Sequence, residues 1–208
     1  MVRIVIYALL GYVSGSVLYA RFWAKILKKE DITLKSGDRN PGTTNAFKYG
    51  GFLCGFLTLV CDILKGFIPV KLYLMGGDGF AIFDWRFALV LCAPVVGHVF
   101  PVFYNFSGGK GIAATFGVLL GLLPVFEPVF IMALSFIFFS LILKISPHFY
   151  RTIVSYIAAL LALGVFGANK DLASVAIGFS IISIAVGYRL YKSPEEREKV
   201  RINLLWMR

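Results

Sequence analysis

Two glycine-rich stretches hold the residues best suited to chemistry: Ser36-Gly37-Asp38-Arg39-Asn40-Pro41-Gly42-Thr43-Thr44-Asn45 and Ser107-Gly108-Gly109-Lys110-Gly111. Glycine lets a backbone take positive φ angles and approach a ligand closely, so that successive N–H groups can converge on one anion. In the first stretch Arg39 can hold a phosphate with two parallel bonds, while Ser36, Asn40, Thr43, Thr44 and Asn45 add neutral hydrogen bonds. Pro41-Gly42 sets a turn among them. In the second, a compact turn feeds a helix expected to start near Gly111, whose first amides and dipole favour an anion beside the Lys110 charge. The Lys110 stretch is not a nucleotide-hydrolysing P-loop. Tyr104 stands six residues before Lys110 where glycine is required, and Gly111 follows where a hydroxyl should hold magnesium. The two stretches together predict a phosphate-handling site; for each alone, a plain polar turn between apolar segments remains open.

The elements that must position these loops are membrane helices. Of 208 residues 59% are apolar and 15% charged, against ~25% charged in soluble domains, and the mean hydropathy is +0.81. The pattern predicts an all-α integral membrane protein, one domain over 1–208, with about seven transmembrane helices near 3–24, 52–75, 86–104, 111–124, 128–144, 152–167 and 172–190. The first run is too long for a signal peptide and reads as a retained helix. Pro124 and Pro128 mark a break, and Pro94 and Pro101 a kink or an irregular end. With the N-terminus outside, sixteen Lys and Arg fall on the inner side and only Arg3, Arg86 and Lys170 on the outer. The positive-inside rule therefore predicts a cytoplasmic C-terminus, with both glycine loops and the loop before Thr152 on the cytoplasmic face. The net charge of +10 sits in short clusters flanking apolar runs, which favours a lipid bilayer and no nucleic acid as partner. Residues 192–208 read as a basic cytoplasmic tail, amphipathic along the inner interface or solvated.

Ionisable residues inside spans are costly, so each calls for a role. Asp62 and Lys65, three apart, can pair on one helix face; Lys65 is either structural or lines the site. His98, between Gly97 and Pro101, is either a packing and hydrogen-bonding element or a base. Ser155 falls one turn inside its helix at the level of the glycine loops, where serine commonly bonds back to its own backbone. Cys54, Cys61 and Cys92 lie in apolar surroundings without metal-ligand spacing, and His98 and His148 are far apart. No metal and no cofactor are expected.

With Ser36–Asn45, Asp62-Ile63-Leu64-Lys65-Gly66, and Gly97-His98-Val99-Phe100-Pro101 running on to Gly108-Gly109-Lys110-Gly111, the chain resembles the bacterial acyl-phosphate-dependent glycerol-3-phosphate acyltransferases, the PlsY-type membrane enzymes. The resemblance implies a multi-pass protein of the bacterial inner membrane with its site facing the cytoplasm. It would transfer an acyl group from acyl phosphate to glycerol 3-phosphate, giving 1-acylglycerol 3-phosphate for phospholipid synthesis. It assigns catalysis to Lys110, Arg39 and Ser155, the last by similarity to a serine of the family's third conserved segment. Phosphate binding falls to Ser36, Gly37, Asp38, Asn40, Gly42, Thr44, Asn45, Lys48, Lys65, Ser107, Gly108, Gly109 and Gly111, and site support to His98, Tyr188 and Tyr191. Lys48 stands where the family pattern has arginine. Tyr188 and Tyr191 stand where it has His-x-x-Asn, and these phenols are poor bases at pH 7. The residues also leave open an organophosphate or anion transporter and a silent paralogue that binds acyl phosphate, and they say nothing of oligomeric state. Activity in purified protein is expected to persist in excess chelator; loss restored by a divalent metal would contradict the metal-free reading.

Overall fold

In a bilayer each backbone amide must find its partner within the protein, so the apolar runs become helices, and they stop where proline or glycine interrupts them. The computed structural model describes residues 1–76, 82–169, 172–193 and 199–204. Its helices are α1 (Val2–Gly15), α2 (Tyr19–Ile26), α3 (Ile32–Lys35), α4 (Thr43–Gly50), α5 (Phe52–Met75), α6 (Phe87–Val99), α7 (Ile112–Leu120), α8 (Glu127–Ile137), α9 (His148–Asn169) and α10 (Ala173–Lys192). Among the described residues, four helical segments are long and apolar enough to cross a membrane, Phe52–Met75, Phe87–Tyr104, His148–Asn169 and Ala173–Lys192. They become five if α1 and α2, bent by 46°, count as one span.

The differences from the expected seven spans have local causes. The run expected at 3–24 bends after Gly15, where Ser16 Oγ donates to Tyr12 O at 2.8 Å and accepts Val102 N–H at 3.3 Å. The run at 111–124 yields only the nine residues of α7, roughly 13 Å of helix against the ~30 Å of a hydrocarbon core, because turns through Gly121 and Pro124 follow. The run at 128–144 splits: α8 passes into a π-helical turn over Phe138–Ile142 and then into strand β1, Leu143–Ser146. β1 pairs antiparallel with β2, Arg201–Leu204, in the register Leu143↔Leu204 to Ser146↔Arg201. The helical architecture expected of the chain carries one addition, this two-stranded ribbon, whose second strand is an exposed part of the expected tail. Val200, Ile202 and Leu204 alternate with Arg201 and Asn203, the period-two signal of a strand. Tail residues 194–198 and 205–208 lie outside the described ones.

Small residues bring the helices close enough to place the loops. A Cβ added at Gly117 of α7 would lie 2.1 Å from Ile63 O of α5, and one at Gly66 of α5 would lie 2.5 Å from Ala114 O of α7. The α1–α6 crossing is equally close, with Gly15 against Pro94 O at 2.1 Å and Gly97 against Tyr12 O at 2.2 Å. Packing of this kind replaces the hydrophobic drive that lipid removes. Behind these crossings a continuous core joins α5, α6, α7, α9 and α10 through Val70, Leu91, Val118, Tyr156, Phe179 and Ile182. Gly117→Val should cost about 1–3 kcal/mol by overpacking and lower the thermal midpoint in detergent. Gly164→Ala, where a Cβ meets nothing within 4 Å, should leave the midpoint unchanged or raise it. Equal midpoints for the two variants would contradict the close crossing.

Candidate active site

The two glycine loops meet. Asp38 folds its own loop, its Oδ1 accepting Asn40 N–H at 3.2 Å and the Asn45 side-chain amide at 2.7 Å. Asn45 also donates to Asn40 O at 2.9 Å. The other carboxylate oxygen, Oδ2, takes Lys110 Nζ at 3.1 Å, and Asn40 Oδ1 takes the Lys110 backbone N–H at 3.2 Å. Burial on its own would raise the Asp38 pKa. The Lys110 charge, together with the bonds from Asn45, Asn40 and Lys110, outweighs that and holds the carboxyl below its usual range.

The second loop keeps its shape through close backbone contact. Gly108 N–H donates to Val99 O at 3.2 Å and Gly109 N–H to His98 O at 3.1 Å. A Cβ at Gly108 would lie 1.9 Å from His98 O, one at Gly109 2.2 Å from His98 Nε2, and Gly111 has φ +79°. Only glycine satisfies all three positions. Arg189 of α10 donates to Gly108 O at 2.7 Å, tying the turn to the last helix.

A cavity of about 620 Å³ opens beside this junction. Its polar end is lined by Asp38, Asn40, Thr44, Asn45, Lys110, His148 and Arg151, and its apolar wall by Leu59, Ile112, Ala113, Phe116 and Phe136. Arg151 donates to His148 Nδ1 at 2.8 Å. Phe136 is held by Phe116 and Tyr156, with ring centroids 6.1 Å apart in each pair, and Tyr156 OH donates to Thr115 Oγ1 at 2.9 Å. Asp62 and His98 complete the lining. Asp62 forms a buried ion pair with Lys65 at 2.8 Å, and Lys65 also donates to Val17 O at 2.7 Å. A cation-rich polar end joined to an aromatic wall can take a phosphate with an alkyl chain attached.

Of the residues expected at the site, Asp38, Asn40, Gly42, Thr44, Asn45, His98, Lys110 and Gly111 line this cavity. Gly108 and Gly109 are buried behind it, and Ser36 is buried nearby with no hydrogen bond to its Oγ. Lys65 sits one layer down, paired with Asp62. Arg39 is exposed, with φ +48°, and is not part of the lining. Its flanking residues turn inward to Lys110, and that geometry turns Arg39 outward. Gly37, Ser107 and Lys48 are exposed too, Lys48 lying over the Tyr49 ring at 5.0 Å. Ser155 is buried without a hydrogen bond to its Oγ and does not reach the cavity. Tyr188 and Tyr191 are exposed; the stretch touches the loop through Arg189 instead. Sequence reasoning missed Arg151, His148, Phe116 and Phe136 as lining residues. Arg151 had a signal, since it precedes Thr152 in a loop assigned to the same face as both glycine loops.

The family model described as glycerol-3-phosphate acyltransferase matches residues 5–196. A glycerol-3-phosphate acyltransferase of Aliivibrio fischeri is 34% identical over 162 residues, 78% of this chain and 74% of that protein. One from Albidiferax ferrireducens is 40% identical over 117 residues, 56% of this chain; there the match spans about half of the relative, 52% of its length. Two crystal structures of PlsY (YgiH), an integral membrane glycerol 3-phosphate acyltransferase, superpose with 29% identity over 89% of this chain and 87% of theirs. The glycerol 3-phosphate form gives a TM-score of 0.74 and the lysophosphatidic acid form 0.70. The chain belongs to the glycerol-3-phosphate acyltransferase family.

Proposed function

We propose that this chain transfers an acyl group from acyl phosphate to glycerol 3-phosphate, releasing phosphate and 1-acylglycerol 3-phosphate for phospholipid synthesis. The observation that carries the reading is one cavity in which Lys110 and Arg151 stand at a polar end and Phe116 and Phe136 line an apolar wall. An acyl phosphate has that same division, and glycerol 3-phosphate needs only the polar part. The attacking hydroxyl oxygen bonds to the acyl carbonyl carbon, and the carbon–oxygen bond to phosphate breaks. The departing phosphate takes the hydroxyl proton. The protein's share is to hold two anions side by side and to neutralise charge on the leaving group.

The role expected of Arg39 passes in this reading to Arg151, which lines the cavity and can hold a phosphate with its planar fork. Asp38, Asn40, Thr44 and Asn45 with the Gly108–Gly111 turn shape the cradle, and Ser155 acts only through the packing of α9. The distribution of Lys and Arg supports an N-terminus outside and a site facing the cytoplasm. In the same reading the chain is a single domain of seven passes in the bacterial inner membrane, the short α7 crossing together with the turns that follow it to Pro124 and α8 together with its π-helical turn to Ile142.

The test is purified protein in lipid with palmitoyl phosphate and labelled glycerol 3-phosphate, with palmitoyl-CoA as the control donor. Labelled lysophosphatidate should form from the phosphate donor alone; flux of label into sealed vesicles without acylation would overturn the reading in favour of transport. Lys110→Ala and Arg151→Ala should each lower kcat/KM by about 10²–10³-fold without loss of membrane insertion. Arg39→Ala should stay within about tenfold of wild type, as an exposed charge does. Near-normal turnover of both cavity variants would contradict the site.

A further inference from the structure

In the cavity lining, beneath the glycine turn, His98 Nδ1 is buried with no hydrogen-bond partner among the described residues, and Asp62 Oδ1 beside it has only the Lys65 ammonium. Their side chains are 3% and 1% exposed and the two atoms lie 3.8 Å apart, beyond direct hydrogen-bond range. Lys65 Nζ neutralises Asp62 from 2.8 Å, and the carboxylate oxygen keeps a second lone pair for another donor. His98 has little room to turn away, because its ring is wedged against the Gly109 backbone and its carbonyl accepts Gly109 N–H at 3.1 Å. A buried polar atom left unsatisfied is costly, so such a pair in a cavity wall marks a place for a ligand group.

The chemistry of the pair selects the group. In the tautomer with its proton on Nδ1, His98 donates to an oxygen placed between the two atoms, and that oxygen donates its own proton to Asp62. An alcohol hydroxyl does both. A phosphate oxygen would meet the Asp62 carboxylate, and an ammonium would meet Lys65.

We propose that Asp62 and His98 bind one hydroxyl of the glycerol acceptor, and that this is the hydroxyl which is not acylated. The proposal rests on the acyltransferase reading above and deepens it. A hydroxyl held at both atoms is fixed against the cavity wall and is not free to approach the acyl carbonyl. Its neighbour on the terminal carbon stays free in the cavity to attack the acyl carbonyl. The pair thus fixes which hydroxyl of glycerol 3-phosphate reacts, and it discriminates against acceptors with a single hydroxyl.

The test compares glycerol 3-phosphate with 3-hydroxypropyl phosphate, which lacks the central hydroxyl, as acceptors of palmitoyl phosphate. Wild type should prefer glycerol 3-phosphate in kcat/KM by about 10²-fold or more, because the shorter acceptor leaves the pair unsatisfied. In His98→Leu the preference should fall below about threefold, the loss falling on glycerol 3-phosphate alone. Asp62→Leu combined with Lys65→Met, which removes the acceptor without stranding a buried lysine, should behave in the same way. Equal use of both acceptors by wild type would overturn the proposal while leaving the acyltransferase reading intact. A variant that slows both acceptors equally, keeping the ratio, would show a merely structural role and also overturn it. No ester from either acceptor with wild type would defeat the underlying reading and this proposal with it.

Discussion

The site depends on one ion pair between segments far apart in sequence, Asp38 with Lys110, braced by Asn40 on the Lys110 backbone. Each loop has contacts of its own, and this pair fixes one against the other. A glycine turn such as 107–111 has many accessible conformations, and fixing them costs entropy. The Asp38 carboxylate, already turned by Asn40 and Asn45, supplies a fixed anchor for the lysine, and Arg189 holds the turn from the opposite side. The pair is largely out of water, where its attraction is stronger and less screened by salt. Its charges also make the site switchable in principle, since an incoming phosphate competes with Asp38 for Lys110.

That junction is possible because of how the helices cross. The Gly66–Gly117 contact brings α5 against α7, so that Asp62 on one helix faces the cavity next to the start of the other. The Gly15–Gly97 crossing likewise seats α6, whose last turn carries His98 beneath the glycine loop. Small residues in membrane helices here serve chemistry as well as packing. They set the distance between the polar Lys110 end and a buried acid–imidazole pair, both lining one cavity.

Much of this was legible in the chain. The glycine loops, the Asp62–Lys65 spacing and the apolar runs pointed to a phosphate-handling membrane protein, and the resemblance they carry is to the family to which the chain belongs. Local sequence does not say where a side chain points after its loop has folded. Arg39 is exposed, while Asp38 and Asn40 on either side of it turn toward Lys110. Arg151 had the right place but was read only as an orienting charge. Hydropathy could not show that the run at 111–124 gives a nine-residue helix, nor that Leu143–Ser146 leaves the helical register to pair with Arg201–Leu204. The alternation in β2 was visible, but its partner lies nearly sixty residues away.

The central claim is that the two loops form one binding unit and not two adjacent ones. Calorimetric binding of glycerol 3-phosphate to wild type, Asp38→Asn, Lys110→Gln and the double variant tests it most directly. One unit predicts strong non-additivity, the double variant binding about as weakly as the weaker single one. Losses that simply add would show that the loops act independently and would contradict the account.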